Sequence, residues 1–211
     1  MLAYDAEVYF SLMAQYNAAI WPAQAVAWVL GVIALGLLFH PSRSASVAIG
    51  MIIGACWLWT GVAFHWVTFA PLNFAAPVFA GVFVLEALLI ALVIGSQGDL
   101  RFRVTPTASG WAGLALSTIA LGVYPILAPL TGIAWAQSPM FGVSSPTTVL
   151  FTLGMLLLAQ PRMPWMLAVI PVLWTLYAGA VAWVLEIPQD MILPVAGGIT
   201  MALAIYRKRE A

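Results

Sequence analysis

Residues 46–69 read SVAIGMIIGACWLWTGVAFHWVTF, without a single Asp, Glu, Lys or Arg. A transmembrane helix needs about 20 mostly apolar residues, so this stretch is long enough to cross a bilayer. The composition of the whole chain agrees, because hydrophobic residues make up 64% of the 211 positions and charged residues 7%. Soluble domains average about 45–50% apolar and about 25% charged residues. The predicted fold class is therefore all-α, an integral membrane bundle.

Similar apolar stretches recur along the chain. Together they predict seven transmembrane helices in one transmembrane domain, 1–211, with spans at about 18–39, 46–69, 75–95, 109–130, 146–160, 165–186 and 190–206. The connections are short, so successive helices should be antiparallel neighbours. Residues 3–17 mix aromatic and polar side chains, which predicts an outer interfacial helix that serves either as an ordered cap or as a lid.

The N-terminal sequence MLAYDAEVYF contains Asp5 and Glu7, and the first basic residue is Arg43. A secretory signal peptide begins with a positively charged segment. We therefore expect the first apolar run to remain in the protein as a permanent span.

Basic residues occur only in alternate connections between the predicted spans. They are Arg43, Arg101, Arg103, Arg162, Arg207, Lys208 and Arg209. Loops enriched in Lys and Arg face the cytoplasm, so this pattern predicts an outer N-terminus and a cytoplasmic C-terminus. The alternative is six spans with one re-entrant segment, which would leave some of these charges outside.

Composition also excludes several classes of function. A formal net charge of +0 offers no basic surface for nucleic acid. The single cysteine, Cys56, excludes a disulfide within the chain and any cysteine-pair metal motif. The two histidines, His40 and His65, fall at opposite membrane faces, whereas zinc and haem need convergent ligands. We expect no metal, no cofactor and no catalytic residues.

Glu86 is the principal polar candidate, because it falls near the middle of the third span. A tight hairpin around Pro71 and Asn73 would place it at the depth of Trp57, so Trp57 and Thr60 are the expected hydrogen-bond donors to Glu86. Two interpretations stay open: a protonated structural carboxyl, or a proton-linked or ligand-binding one.

His65 should lie about 12 Å farther out than Glu86, at 1.5 Å per helical residue, which makes a direct bond between them unexpected. We expect an interfacial hydrogen-bonding residue at the mouth of a pocket; a ligand or pH sensor is the alternative.

The fifth span is short, about 15 residues or about 22 Å against a core of about 30 Å. Its start contains four hydroxyl side chains, Ser144, Ser145, Thr147 and Thr148, and Ser144 or Ser145 is the expected N-cap before Pro146. A helix that begins below the membrane surface would present free N–H groups to a ligand. The alternative is a short helix capped by a loop that dips into the protein.

Polar side chains, among them Tyr124, concentrate in the outer half of the predicted bundle, whereas runs such as 31–39 (GVIALGLLF) make the inner half almost purely apolar. An open aqueous pore needs polar lining along its whole length. The pattern instead predicts a pocket that opens outward and is closed below by apolar residues.

Four segments resemble a bacterial family of roughly 200-residue multi-pass inner-membrane proteins of unknown function. They are YNAAIWPAQ (16–24), WLWTGVAFHW (57–66), FGVSSPTTVLFTLGMLLL (141–158) and IPVLWTLYAGAVAWVLEIPQD (170–190). The resemblance implies a bacterial inner-membrane location and implies no activity.

Three functional hypotheses follow. The first is a transporter or gated channel for a small polar solute, with Glu86, Trp57, Thr60 and the start of the fifth span lining the pocket. The second is a non-catalytic accessory or assembly subunit that packs in a larger membrane complex or a homo-oligomer, motivated by the many small residues that allow close helix contact. The third is a lipid-acting enzyme with Glu86 as acid or base, ranked last because no nucleophile–base pair is evident.

Overall fold

The computed structural model describes residues 4–210; residue 3 of the predicted interfacial helix and the side chains of Lys208 and Arg209 lie outside the described part. Residues 4–210 form eight helices: α1 Ala6–Ala19, α2 Ala23–Leu37, α3 Arg43–Phe69, α4 Ala76–Ser96, α5 Ala108–Leu130, α6 Ser145–Leu158, α7 Met166–Val184 and α8 Ile192–Glu210. Two antiparallel two-residue strands, β1 Arg101–Phe102 and β2 Ala159–Gln160, join two of the connections. Short 3-10 helices cover Trp135–Gln137 and Pro188–Met191.

Five helical segments are long and apolar enough to cross a membrane: α3, α4, α5, α7 and the segment Pro188–Arg207, which contains most of α8. Large apolar side chains such as Leu92, Leu173 and Val195 are exposed on these helices, as expected of surfaces that face lipid rather than water. The chain is a helical membrane protein.

The first predicted span, 18–39, is wrong at its start. The helix axis turns by 85° between α1 and α2, and α1 and α2 would count as a sixth candidate span only if taken together. The turn falls at Trp21 and Pro22, and proline has no N–H to continue a helical hydrogen-bond ladder. The α1 helix packs on the end of α3, and Tyr16 donates to the Val143 carbonyl at 2.8 Å. These contacts hold α1 against the rest of the bundle, and its place at the outer interface stays a prediction.

Two of the long helices contain a π-helical segment. In α3 the α-helix runs Arg43–Trp59 and continues as a π-helix over Thr60–Phe69, which includes His65. In α5 the π segment, Ile119–Val123, comes shortly before Pro125. A π segment changes which side chains share a face of the helix, and such segments often occur at functional sites.

Helix α6 is enclosed by the rest of the protein, since all 14 of its residues are buried. It ends at Leu158, two residues before the predicted limit, and the chain continues as β2. The preceding stretch from Phe141 to Ser144 is also buried. The structure therefore shows the alternative of a short helix capped by a loop that dips into the protein, and a helix surrounded by protein need not match the membrane thickness.

Charged residues separate to the two ends of the bundle. At one end Arg43 donates to the Gln97 carbonyl at 2.8 Å, and Arg207 donates to the Ala159 carbonyl at 3.0 Å. Arg101 and Arg103 lie at the same end, beside β2. The other end, here called the acidic end, contains four carboxyl groups: Asp5, Glu7, Glu186 and Asp190.

Candidate functional site

A cavity of about 50 Å³ lies at the acidic end, where side chains from α1, α3, α4, α6 and α7 meet the 3-10 helix Pro188–Met191. Its polar lining comes from His65, Ser145 and Asp190, and aromatic rings make up much of the remaining wall. This volume exceeds what one water molecule needs, about 10–15 Å³ on a comparable measure. The cavity is therefore large enough to admit a small ligand.

His65 and Ser145 form a hydrogen bond in the cavity wall. The Nε2 atom of His65 lies 2.8 Å from Ser145 Oγ, and His65 Nδ1 has no partner among the described residues. His65 is thus a hydrogen-bonding residue at a cavity, as expected, but it is only 1% exposed and packs among aromatic rings; its place at the membrane interface stays a prediction. The π-helical part of α3 places this histidine opposite the first residue of α6.

Asp190 provides the carboxyl group of the cavity and is 9% exposed. The Tyr124 hydroxyl donates to its Oδ1 atom in a very short hydrogen bond. Tyr124 thus reaches the site only through Asp190 and is not itself part of the cavity wall. The chain enters this segment through Glu186, which adopts a left-handed backbone conformation with φ 54°, an uncommon one for a residue other than glycine.

Tyr4 and Tyr9, near the N-terminus, cover one side of the cavity. The phenols of Tyr4 and Tyr177 both lie beside the Asn73 side chain. Burial, together with the neighbouring Tyr177, raises the pKa of Tyr4 to about 12. The phenol of Tyr4 therefore stays neutral at physiological pH, and Asp190 is the acidic group of the wall.

Below the cavity, α3 and α6 face each other with polar side chains. This polar seam consists of Trp57, Thr60, His65, Ser145, Thr148 and Thr152. The Trp57 indole donates to Thr152 Oγ1 at 2.8 Å, and the His65–Ser145 bond closes the outer end. Between them the hydroxyls of Thr60 and Thr148 are buried and have no partner in the described part of the chain.

The structure corrects the expected partners of Glu86. Trp57 bonds Thr152 instead, and neither oxygen of Glu86 nor the Thr60 hydroxyl has a partner within residues 4–207. The predicted α3–α4 register is nevertheless present, since Gly61 lies against Phe83. Register fixes depth in the membrane, but it does not fix the hydrogen bond: the ring of Trp57 packs on Phe83 of α4 at a centroid distance of 4.4 Å, while its indole N–H donates to Thr152 on α6.

The hydroxyls of Ser144 and Thr147 form hydrogen bonds with the loop before α6 rather than with a ligand. The side chains of both donate to the Met140 carbonyl, at 2.8 Å and 2.9 Å. Ser144 occupies the N-cap position of α6, but its side chain makes no capping bond. The predicted N-cap position is therefore correct for Ser144, but its hydroxyl bonds the loop instead of a helix N–H.

Of the nine predicted binding residues, the structure brings His65 and Ser145 to the cavity wall. Glu86, Trp57, Thr60 and Thr148 lie deeper, outside that wall. Sequence reasoning missed the aromatic lining and Asp190. The position of Asp190, an acidic residue just before the last apolar run, was the available signal. Among the described residues, no three His, Cys, Asp or Glu side chains are grouped to hold a metal ion.

Comparison with protein-family models gave one match, which covers residues 6–211. The chain belongs to the DUF6064 family. That family is described as a family of unknown function. In this DUF6064 protein the matched region includes the polar seam and all of the cavity wall except Tyr4. No match was found among curated proteins or among solved structures.

Proposed function

We propose that this DUF6064 protein is a transporter or gated channel that takes a small polar solute into the cavity at its acidic end. The supporting observation is the convergence of His65, Ser145 and Asp190, three buried polar residues distant in sequence, on one cavity. Burying such groups is costly unless they are paired or functional. The polar seam continues from this cavity toward the depth of Glu86.

The proposed membrane arrangement has seven crossings, from α2 to α8, in a bacterial inner membrane. When the short helices α2 and α6 are counted as crossings with the five longer segments, successive connections alternate between the two sides of the membrane. All described arginines lie at one end, which the enrichment of basic residues in cytoplasmic loops assigns to the cytoplasm. The acidic end and its cavity then face outward.

Translocation through this bundle requires a conformational change. Below the polar seam, the buried side chains are mostly apolar, among them Ile53, Ile90, Leu153 and Leu157, with a few hydroxyls such as those of Ser117 and Thr200. A permanently open pore would need polar groups along this part as well. The arrangement therefore favours alternating access or gating over a fixed channel.

Flux into proteoliposomes across a panel of small solutes tests the proposal. Wild-type protein should carry at least one solute faster than empty vesicles, and Asp190→Asn should lose most of that flux. Glu7→Gln is the matched control, since it removes an exposed carboxyl at the same end. Absence of flux for every solute, or equal flux in the Asp190 variant, would contradict the proposal. Recovery of the protein only within a larger complex on native mass spectrometry would instead favour the accessory-subunit hypothesis.

A second candidate function is a membrane hydrolase, favoured by the 2.8 Å contact between Ser145 Oγ and His65 Nε2. A serine activated by an adjacent imidazole is the usual nucleophile–base pair of acyl transfer. His65 Nδ1 lacks the orienting partner of a full triad within the described residues, and we rank this function second. Covalent labelling of Ser145 by a fluorophosphonate, lost in His65→Asn, would favour the hydrolase; an unlabelled wild-type protein would exclude it.

A further inference from the structure

We infer that the cavity binds a small alkylammonium cation, held between the Asp190 carboxylate and the aromatic wall. This inference rests on the proposed function and names the chemical class of its solute.

The charge of the cavity wall is the first argument. Asp190 is in the wall, and none of the Lys or Arg side chains that the structure describes lines it. Tyr124 donates to one carboxyl oxygen, Oδ1. The other oxygen is available to a ligand. A buried carboxylate without a cationic neighbour is costly, and a bound cation would supply the missing partner.

The aromatic wall is the second argument. The rings of Phe79, Trp174 and Tyr177 pack with centroid distances of 4.8–5.2 Å, and Tyr4 packs on Phe69 at 5.4 Å. All five line the cavity. Aromatic faces attract cations, and sets of such rings recognise methylated ammonium groups in particular. The negative faces of the rings disfavour an anion.

The electrostatic field of the acidic end is the third argument. Asp5 and Glu7 at the start of α1, with Glu186 and Asp190 beyond α7, belong to the acidic end where the cavity lies, while the described arginines lie at the opposite end. A charge distribution of one sign around a cleft raises the local concentration of the oppositely charged solute. Cations are therefore concentrated at the cavity before they bind.

The volume of the cavity limits the size of the alkylammonium ion. A cavity of about 50 Å³ has room for about three to five water-sized groups at about 10–15 Å³ each. That range suits methylammonium to tetramethylammonium and excludes a long-chain amphiphile unless the cover of α1 moves.

Isothermal titration of the purified protein with tetramethylammonium chloride and with methylammonium chloride tests the inference. Tert-butanol serves as the neutral probe of similar size, and potassium chloride controls for ionic strength. At least one ammonium ion should bind and raise the melting temperature, and the two control solutes should not. Asp190→Asn should weaken binding by about 10–100-fold, the loss expected for a charge-assisted contact.

The control variant is Asp99→Asn, which removes an exposed carboxyl at the opposite end of the bundle and should leave affinity within about twofold, because a distant exposed charge is largely screened. Trp174→Phe should weaken binding by about two- to fivefold through the smaller ring; it provides the test if Asp190→Asn does not fold. Binding no stronger than that of tert-butanol, or unchanged in folded Asp190→Asn or Trp174→Phe, would overturn the inference. Flux of a neutral solute without ammonium binding would support the proposed transport function and contradict the ammonium site. Ammonium binding without flux of any solute would contradict transport and support the ammonium site.

Discussion

For Glu86, the sequence predicts the depth in the membrane but not the hydrogen-bonding environment. Its position opposite the level of Trp57 follows from the length of the α3–α4 hairpin, which the sequence reveals. Its lack of a partner among the described residues does not, because the Trp57 indole donates to Thr152 on α6 instead, and the sequence does not show how α6 lies against α3. A buried carboxyl without partners costs stability, about 1–3 kcal/mol or more.

Glu86→Leu should therefore raise the free energy of unfolding by about 1–3 kcal/mol, since the substitution replaces an unsatisfied buried acceptor with an apolar side chain. Thermal denaturation in detergent measures the effect. Glu86→Gln, which keeps polar atoms at the site, should give a smaller gain. A lower melting temperature for Glu86→Leu would show that the carboxyl has a partner in the native protein, such as a bound water or ion.

At the scale of elements, the apolar run of α6 predicts the start and length of the helix but not its surroundings. The start of the helix and its shortness follow from Pro146 and the length of the run to Gln160. Its enclosure by the other helices could not be predicted, because an apolar stretch facing lipid and one facing protein have the same composition. The close approach of Gly154 to Gly113 marks the enclosure: a Cβ on Gly154 would lie 2.7 Å from the Gly113 carbonyl oxygen.

Gly154→Ala should therefore force α5 and α6 apart and destabilise the protein by about 1–3 kcal/mol, the usual cost of overpacking. Gly81→Ala is the matched control, since a Cβ there meets no atom within 4 Å, and it should be neutral or slightly stabilising. Melting temperatures of the two variants compare them directly. Equal melting temperatures would contradict the close packing of α5 on α6.

At the scale of the whole molecule, the separation of charge is the feature that the sequence predicted best. The spacing of Arg43, Arg101, Arg162 and Arg207 between apolar runs suffices to place them at one end, where the structure has them. The cavity was harder to foresee, because its wall combines residues as far apart as Tyr4 and Asp190. Only the tertiary fold brings their side chains together.

The central claim is that the cavity opens outward and accepts cations. Ala178 lines the cavity, so Ala178→Cys in a Cys56→Ala background places one thiol there. Intact cells are treated from outside with one of two methanethiosulfonate reagents, one carrying a trimethylammonium group and the other a sulfonate group. The rate at which each reagent modifies the cysteine is divided by its rate of reaction with a small free thiol in solution. The cationic reagent should react about tenfold faster or more, and tetramethylammonium should slow it. Equal rates, or modification only from the cytoplasmic side, would contradict the claim.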